Sequence, residues 1–395
     1  MPLSSDNGIY YAVSGFYRYD EGPVKSGLPT EGFQLRGNLK KEFGDGSGSF
    51  TLYGQWIDDE VQFFLPFPLD GETRQRPIGN DGNVVRTVQT SEAANLSYGT
   101  PNGRFETPIG DGVSTKGGSI SAVFEKDLDN GWGVNARAKY ARYSHQFNLF
   151  LDGDGVVNLP ETQAGFLESR GLIDPNKNTG PNALFPQFTF TNSGRDLDSD
   201  FLLFGNRLLD RNRPATDFTS EFNITKQLTT GELDHSFTLG GFFARAEADD
   251  ENVITTYLGD FNNRSRLVDL VITDAAGDTV QVVSENGLLN PGAAFSNNRH
   301  EATRFAGYFA DQIEMDRWVF DLGIRVEKLI GDISREGNVN VVFDDDATLT
   351  PELQTRRTGS GSFTQGRVST TEWAIAGGVL YKLTDELSLY ANGAR

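Results

Sequence analysis

The chain has no cysteine at all. Disulfide scaffolds, thiolate metal sites and cysteine nucleophiles are excluded together. Histidine is scarce, and His145, His235 and His300 stand far apart, without metal-ligand spacing. No G-x-S-x-G elbow occurs, nor a glycine-rich phosphate loop running into a helix. An enzyme is therefore not expected, and no cofactor either. No apolar run approaches the ~18 residues of a membrane helix. Basic charge is also short, with 35 Lys and Arg against 55 Asp and Glu, a net charge of −20. A nucleic-acid partner would need a basic face to neutralise phosphates, so that class drops out.

What is abundant is glycine and aromatics: 45 Gly, 29 Phe, 12 Tyr and 4 Trp. That many aromatics argue against a disordered chain. The apolar fraction is nevertheless only 37%, below the ~45–50% usual for globular proteins. Extended β structure with one polar and one aromatic face fits both facts. Period two then recurs along the chain. Trp318, Phe320, Leu322, Ile324 and Val326 alternate with Val319, Asp321, Gly323, Arg325 and Glu327. Phe218, Phe222, Ile224 and Leu228 alternate with Thr219, Glu221, Asn223, Thr225 and Gln227. Similar patterns cover 9–19, 33–43, 48–57, 118–128, 132–143, 234–246, 302–315, 371–383 and 386–394, giving eleven candidate strands. Each is near the ~9–11 residues a tilted strand needs to cross a bilayer.

The connections alternate too. Short ones fall at Gly44–Ser47, Asp129–Asn130, Thr229–Leu233, Asp316–Arg317 and Thr384–Asp385. Long ones run over 58–117, 146–216, 247–301 and 331–367, and read as structureless loops. Short turns on one side and long loops on the other suit an outer-membrane barrel, whose short side is periplasmic. Tyr17, Tyr19, Trp56, Trp132, Tyr140, Trp318 and Trp373 sit near strand ends on the apolar face, where interfacial girdles belong. The fold class expected is all-β, an antiparallel up-and-down transmembrane barrel. A soluble β-sandwich shows the same alternation on any one strand; strand length, consecutive hairpins and terminal aromatics separate the two.

Several stretches resemble the barrel of a TonB-dependent outer-membrane receptor. They are GFYRYDEG (15–22), EGFQLRGNLKKEF (31–43), FFLPFPL (63–69), LGGFFARAE (239–247), FAGYFADQIEMDRWVFDLGIRVEK (305–328) and LYKLTDELSLYANGAR (380–395). The resemblance implies a barrel of about 22 strands, a plug domain filling it, and a TonB complex pulling on that plug. Residues 1–8 lead straight into a strand and hold no secretory h-region. Residues 1–395 are accordingly expected to be a partial barrel, a fragment lacking plug, signal peptide and C-terminal strands. Implied partners are outer-membrane lipid, the TonB complex through the missing plug, and a large scarce nutrient: a ferric siderophore, another chelate or an oligosaccharide. A passive porin-type channel and a surface β-sheet binding protein are the competing readings.

Candidate sites follow from residue type. Phe63, Phe64 and Phe67 are too apolar for an unpaired exposed loop, and with Phe147 and Phe150 could form an aromatic platform for a ligand. Packing within the loops is the plainer reading. Arg18, Arg36, Lys40, Arg137, Lys139, Arg325 and Glu327 are expected to face the lumen, in cross-strand pairs with Glu42, Glu125, Glu221 and Asp321. Asp152 and Asp154 faintly resemble a calcium loop but lack its spacing. Residues 158–171 read as a short helix, started by Pro160 and stopped by Gly171, with Phe166 and Leu167 packing inward. The run Asp344–Asp346 reads as a solvated loop tip.

Overall fold

The computed structural model describes residues 2–4, 6–22, 26–63, 73, 90–151, 153–174, 176–262 and 265–395. The strands are β1 (Pro2–Ser4), β2 (Ile9–Asp20), β3 (Thr30–Glu42), β4 (Gly48–Val61), β5 (Ser97–Thr100), β6 (Gly103–Glu106), β7 (Val113–Asp127), β8 (Trp132–Phe147) and β9 (Leu149–Phe150). There follow β10 (Phe185–Phe190), β11 (Leu203–Thr230), β12 (Leu233–Asp260), β13 (Val268–Thr273), β14 (Thr279–Ser284), β15 (Leu288–Met315), β16 (Trp318–Val342), β17 (Thr355–Lys382) and β18 (Ser388–Ala394). Short helices are α1 (Ser91–Ala94), α2 (Gln163–Ser169) and α3 (Pro351–Gln354).

One 13-stranded antiparallel sheet runs β1-β2-β3-β4-β7-β8-β11-β12-β15-β16-β17-β18, with β9 paired to β11 beside this path. Setting aside the short β1 and β9 leaves eleven strands, ten of them 12 to 28 residues long and β18 of seven, each overlapping one of the segments picked out by period two. The sheet's path is open, since β1 pairs only with β2 and β18 only with β17 among the described residues. The short connections fall where the turn chemistry puts them. Asp316 (φ 50°) and Gly231 (φ 66°) take left-handed conformations that tighten two hairpins.

The long connections differ from the sequence expectation. Much of 203–216, 247–260, 288–301, 331–342 and 355–367 is strand, so β11, β12, β15 and β17 each reach 28 residues. Beyond the apolar band the clean alternation ends, since Leu208, Leu209, Ile254, Tyr257 and Leu258 stand among Asp210, Arg211, Thr255 and Thr256, and the pattern that marks a strand in the sequence fades while the backbone ladder continues. The other described loop segments fold together at this end of the sheet. A three-stranded sheet β10-β13-β14 and the β5–β6 hairpin lie there. So do both hydrophobic cores, one around Phe166, Phe188, Leu203 and Leu270, the other around Ile109, Phe150, Leu208 and Tyr257.

Hydrogen bonds join the loops to one another. Ser91 N–H donates to Ser26 O (3.3 Å), Thr191 N–H to Leu267 O (3.1 Å), and Val282 N–H to Thr348 O (2.8 Å). Thr90 Oγ1 donates to Ser265 O (3.1 Å) and Arg356 Nε to Gly99 O (3.0 Å). The result is a folded cap rather than structureless loops. Within it the short helix is present, with one correction. Its N-cap is Thr162, whose hydroxyl accepts from Gly165 N–H, and helical residues begin at Gln163, so Pro160 lies outside the helix.

Candidate functional site

Directly paired residues of an antiparallel sheet share a face, so the register sorts the side chains. One face carries Arg18, Arg36, Lys40, Arg137, Lys139, Arg325 and Glu327. Arg18 grips Asp59 with two hydrogen bonds, 2.9 and 2.7 Å. Lys40 pairs with Glu42 at 2.8 Å. Arg137 Nε donates to Glu221 at 2.8 Å, and Glu327 is held between Arg304 (2.8 Å) and Arg325 (2.7 Å). Arg36 and Lys139 are exposed on the same side. Tyr308 crosses this face, donating to Glu221 and lying within 2.6 Å of Asn223 Oδ1. It can do so because β12 has Gly240 beneath its ring, where a Cβ would sit 2.1 Å from a ring carbon. This wall offers paired, water-loving charges, suited to contact with polar surfaces.

The opposite face is aromatic. Trp56, Trp132, Trp318 and Trp373 all stand on it, exposed, with Phe218, Phe222, Phe305, Phe309, Leu322 and Ile324 between them. At the cap end the band stops at a polar border. Arg142 pairs in register with Thr216, Thr216 with Glu247, Glu247 with Glu301, Glu301 with Asp332, and Asp332 with Arg367.

The cap holds the loop candidates. Phe63 is exposed, its ring 6.4 Å from Phe147. Phe150 is 1% exposed and packs edge-on against the buried Tyr257 at 6.0 Å. It is a core residue, not part of an open platform, because β9 turns it into the junction with β11 and β12. Phe64, Phe67 and Asp152 lie outside the described residues. Asp154 is engaged by Arg170 and by the Val156 and Val157 N–H groups at 2.8 and 3.1 Å. Arg170 also holds Glu161 at 2.7 Å and lies 3.7 Å over the Phe166 ring. His145 accepts or donates at Thr115 Oγ1 (2.9 Å), and His235 contacts Asp311 (2.9 Å). Asp344–Asp346 are exposed, as a loop tip should be.

Sequence reading missed the buried polar groups of the cap. Asn206 is fully buried and donates to Tyr257 Oη at 3.4 Å. Tyr98 Oη lies 2.9 Å from Thr255, and burial pushes the phenol up to about 12. Burial also raises the Asp260 and Glu92 carboxyls, against the hydrogen bonds that Arg266 and the Leu267 N–H give them. Asp210 is raised to about 6 by burial first, then by Glu251 and Asp111. Arg356 is buried on carbonyls, with Phe343 4.8 Å away, and desolvation lowers it. No local sequence motif marks these groups, since Asn206, Tyr98 and Glu92 find their partners far along the chain.

The family model described as TonB dependent receptor-like, beta-barrel matches residues 44–395. No curated protein matches the chain. The ferric-catecholate import receptor Fiu from E. coli K12, in its open form, is similar in structure with a TM-score of 0.55 at 13% identity. That likeness covers 100% of this chain and 51% of the receptor. The siderophore receptor PiuA from Acinetobacter baumannii gives 0.50 at 15% identity, covering 98% of this chain and 45% of that one. At such identities the likeness concerns the fold alone. The chain spans about half the length of these solved receptors. The family is one of transport receptors rather than enzymes, and its barrels lie in the outer membrane. With the two-faced strands, the short turns on one side and the match over 44–395, the chain belongs to the TonB-dependent receptor-like β-barrel family.

Proposed function

We propose that the chain forms the wall and outer loops of a TonB-dependent receptor of a Gram-negative outer membrane, and that the receptor imports a large, scarce nutrient. The observation that carries this reading is the division of eleven strands into an aromatic face and an ion-paired one, under a cap built from the long loops. The aromatic face meets lipid; the charged face lines the lumen, where a plug domain would supply the link to the TonB complex. Residues 1–395 act as one barrel portion in this reading. A ferric siderophore is the ligand we favour, because one similar solved structure is named a siderophore receptor and the other a ferric-catecholate import receptor. In this reading Phe63 and Phe147, rather than the buried Phe150, would touch it.

The test is growth under iron limitation of a strain deleted for the receptor and complemented with it, beside the uncomplemented deletion strain, with ferric siderophores supplied singly. Restored growth on one of them, dependent on an intact TonB, supports the proposal. TonB-independent uptake would favour a passive channel instead. Restored growth on an oligosaccharide alone would overturn the ligand while leaving the receptor.

A further inference from the structure

The aromatic face is not a uniform wall. At its middle lies a groove of about 580 Å³, floored by Ala136, Ala138 and Ser220 and walled by Phe124, Phe222 and Phe243. The register explains the opening. Ala138 pairs with Ser220 and Ser220 with Phe243, so two small side chains stand where neighbouring rows carry rings. Phe243 forms a wall of the groove, its ring packed against Phe305 at 5.1 Å and Phe218 at 5.9 Å.

The polar border above the groove supplies a second, independent feature. Its acids are answered from within: Arg245 holds Glu247 (2.6 Å) and Glu301 (3.1 Å), and Arg367 stands 3.7 Å from Asp332. Arg142 is exposed, and its side chain makes no ion pair or hydrogen bond among the described residues. It is four residues along β8 from Ala138, roughly 13 Å at strand rise, on the same face. A slot for a hydrocarbon chain therefore leads to an unanswered cation at the edge of the apolar band.

We infer that this groove and Arg142 form a binding site for one anionic membrane lipid, an acyl chain lying on Ala136, Ala138 and Ser220 and its phosphate meeting the Arg142 guanidinium. The inference rests on the aromatic face being the lipid face. An annular lipid slides past a smooth wall; this one is fixed at both ends. Arginine suits the phosphate because its planar fork presents two parallel donors.

The receptor in detergent is titrated with dimyristoyl phosphatidylglycerol or dimyristoyl phosphatidylcholine, and bound lipid is counted by native mass spectrometry. The unaltered receptor is expected to retain one phosphatidylglycerol in preference to phosphatidylcholine. Arg142→Gln should cut that preference about fivefold, as expected for one basic residue at an anionic headgroup, and Ala138→Phe should weaken both lipids. In parallel, brominated lipids report through the tryptophans, all four of which lie on the aromatic face. Normal quenching with equal lipid counts in all three proteins would overturn the groove alone. Absence of quenching in the unaltered receptor would overturn the lipid-face reading itself.

Discussion

Asp210 gives the cap a pH dependence that can be worked from its surroundings. It sits in the part of β11 beyond the aromatic band, four residues or more past the border at Pro214–Thr216, with its Oδ1 buried and without a hydrogen-bond partner among the described residues. Burial, Glu251 and Asp111 lift its carboxyl from 3.8 to about 6. A carboxyl raised in the folded state binds its proton more tightly there than in the unfolded chain. The stabilising contribution is thus fully present below pH ~4 and is lost as the pH rises through about 6. About 2.2 units at 1.36 kcal/mol each is about 3 kcal/mol, and partial solvent screening brings that to about 2 kcal/mol. The raised Glu251 carboxyl, itself facing Glu336 and Asp249, acts in the same direction. Hydrogen exchange of segments 203–212 and 251–260, corrected for intrinsic rates, reads the effect. Between pH 3 and 7.5 the opening constant should rise roughly 30-fold, the equivalent of 2 kcal/mol. Asp210→Asn should remove most of that slope and protect the cap at pH 7.5. Superimposable pH profiles for the two proteins would refute the reasoning.

Three further outcomes are expected. Gly240→Ala must push the Tyr308 ring off β12 and away from Glu221 and Asn223, costing about 1–3 kcal/mol; an unchanged urea midpoint, followed by heat-modifiable gel migration, would contradict it. Arg170→Met leaves the Asp154 and Glu161 side chains, 4% and 11% exposed, without their counter-charge. The loop they anchor should loosen by about 3–5 kcal/mol, seen as faster limited proteolysis within 153–203 and disproved by an unchanged cleavage rate. Ile324→Arg should cost about 2–4 kcal/mol if the residue lies near the bilayer midplane, and Arg325→Ile much less. A lipid-soluble spin probe should reach a cysteine at 324 and not one at 325, and the reverse would invert the faces.

The legible part of this molecule is the part that two solvents write into the sequence. Ile324 and Arg325 can be told apart because adjacent residues of a strand meet different surroundings, and all eleven strands share that alternation. Past Arg245 the alternation persists in β12 as Glu247 and Asp249 against Ala246 and Ala248, but without large apolar residues it no longer announces a strand. The helix stop at Gly171 is readable because its φ of +64° favours glycine. Its start is not, since Pro160 and Thr162 are both acceptable near an N-terminus and only packing chooses. Phe150 illustrates the same limit among aromatics: a ring in a loop looks alike in sequence whether it meets a ligand or Tyr257. The Asp154–Arg170–Glu161 cluster was hidden because a lone Asp-Gly run does not name the cation that will fill it.

Where the buried side chains lie decides how the two halves of the molecule are stabilised. Apart from Ala141, the buried apolar residues are in the loop segments and strand extensions of the cap. The spanning part of the sheet has no comparable interior among the described residues; its apolar side chains are exposed or half-buried, and in the proposed reading its backbone ladder and the surrounding lipid hold it. The cap, by contrast, has two cores of its own and hydrogen bonds that tie several loops together. Perturbations should therefore separate. Removing Arg170 or ionising Asp210 acts on a unit whose stability comes from ordinary burial, and the spanning strands need not follow. Gly240 and Ile324 act on the spanning sheet, whose faces answer to its surroundings. In the proposed reading a ligand arriving from outside meets the cap first, so the pH range in which Asp210 ionises is also the range in which that surface becomes easier to open.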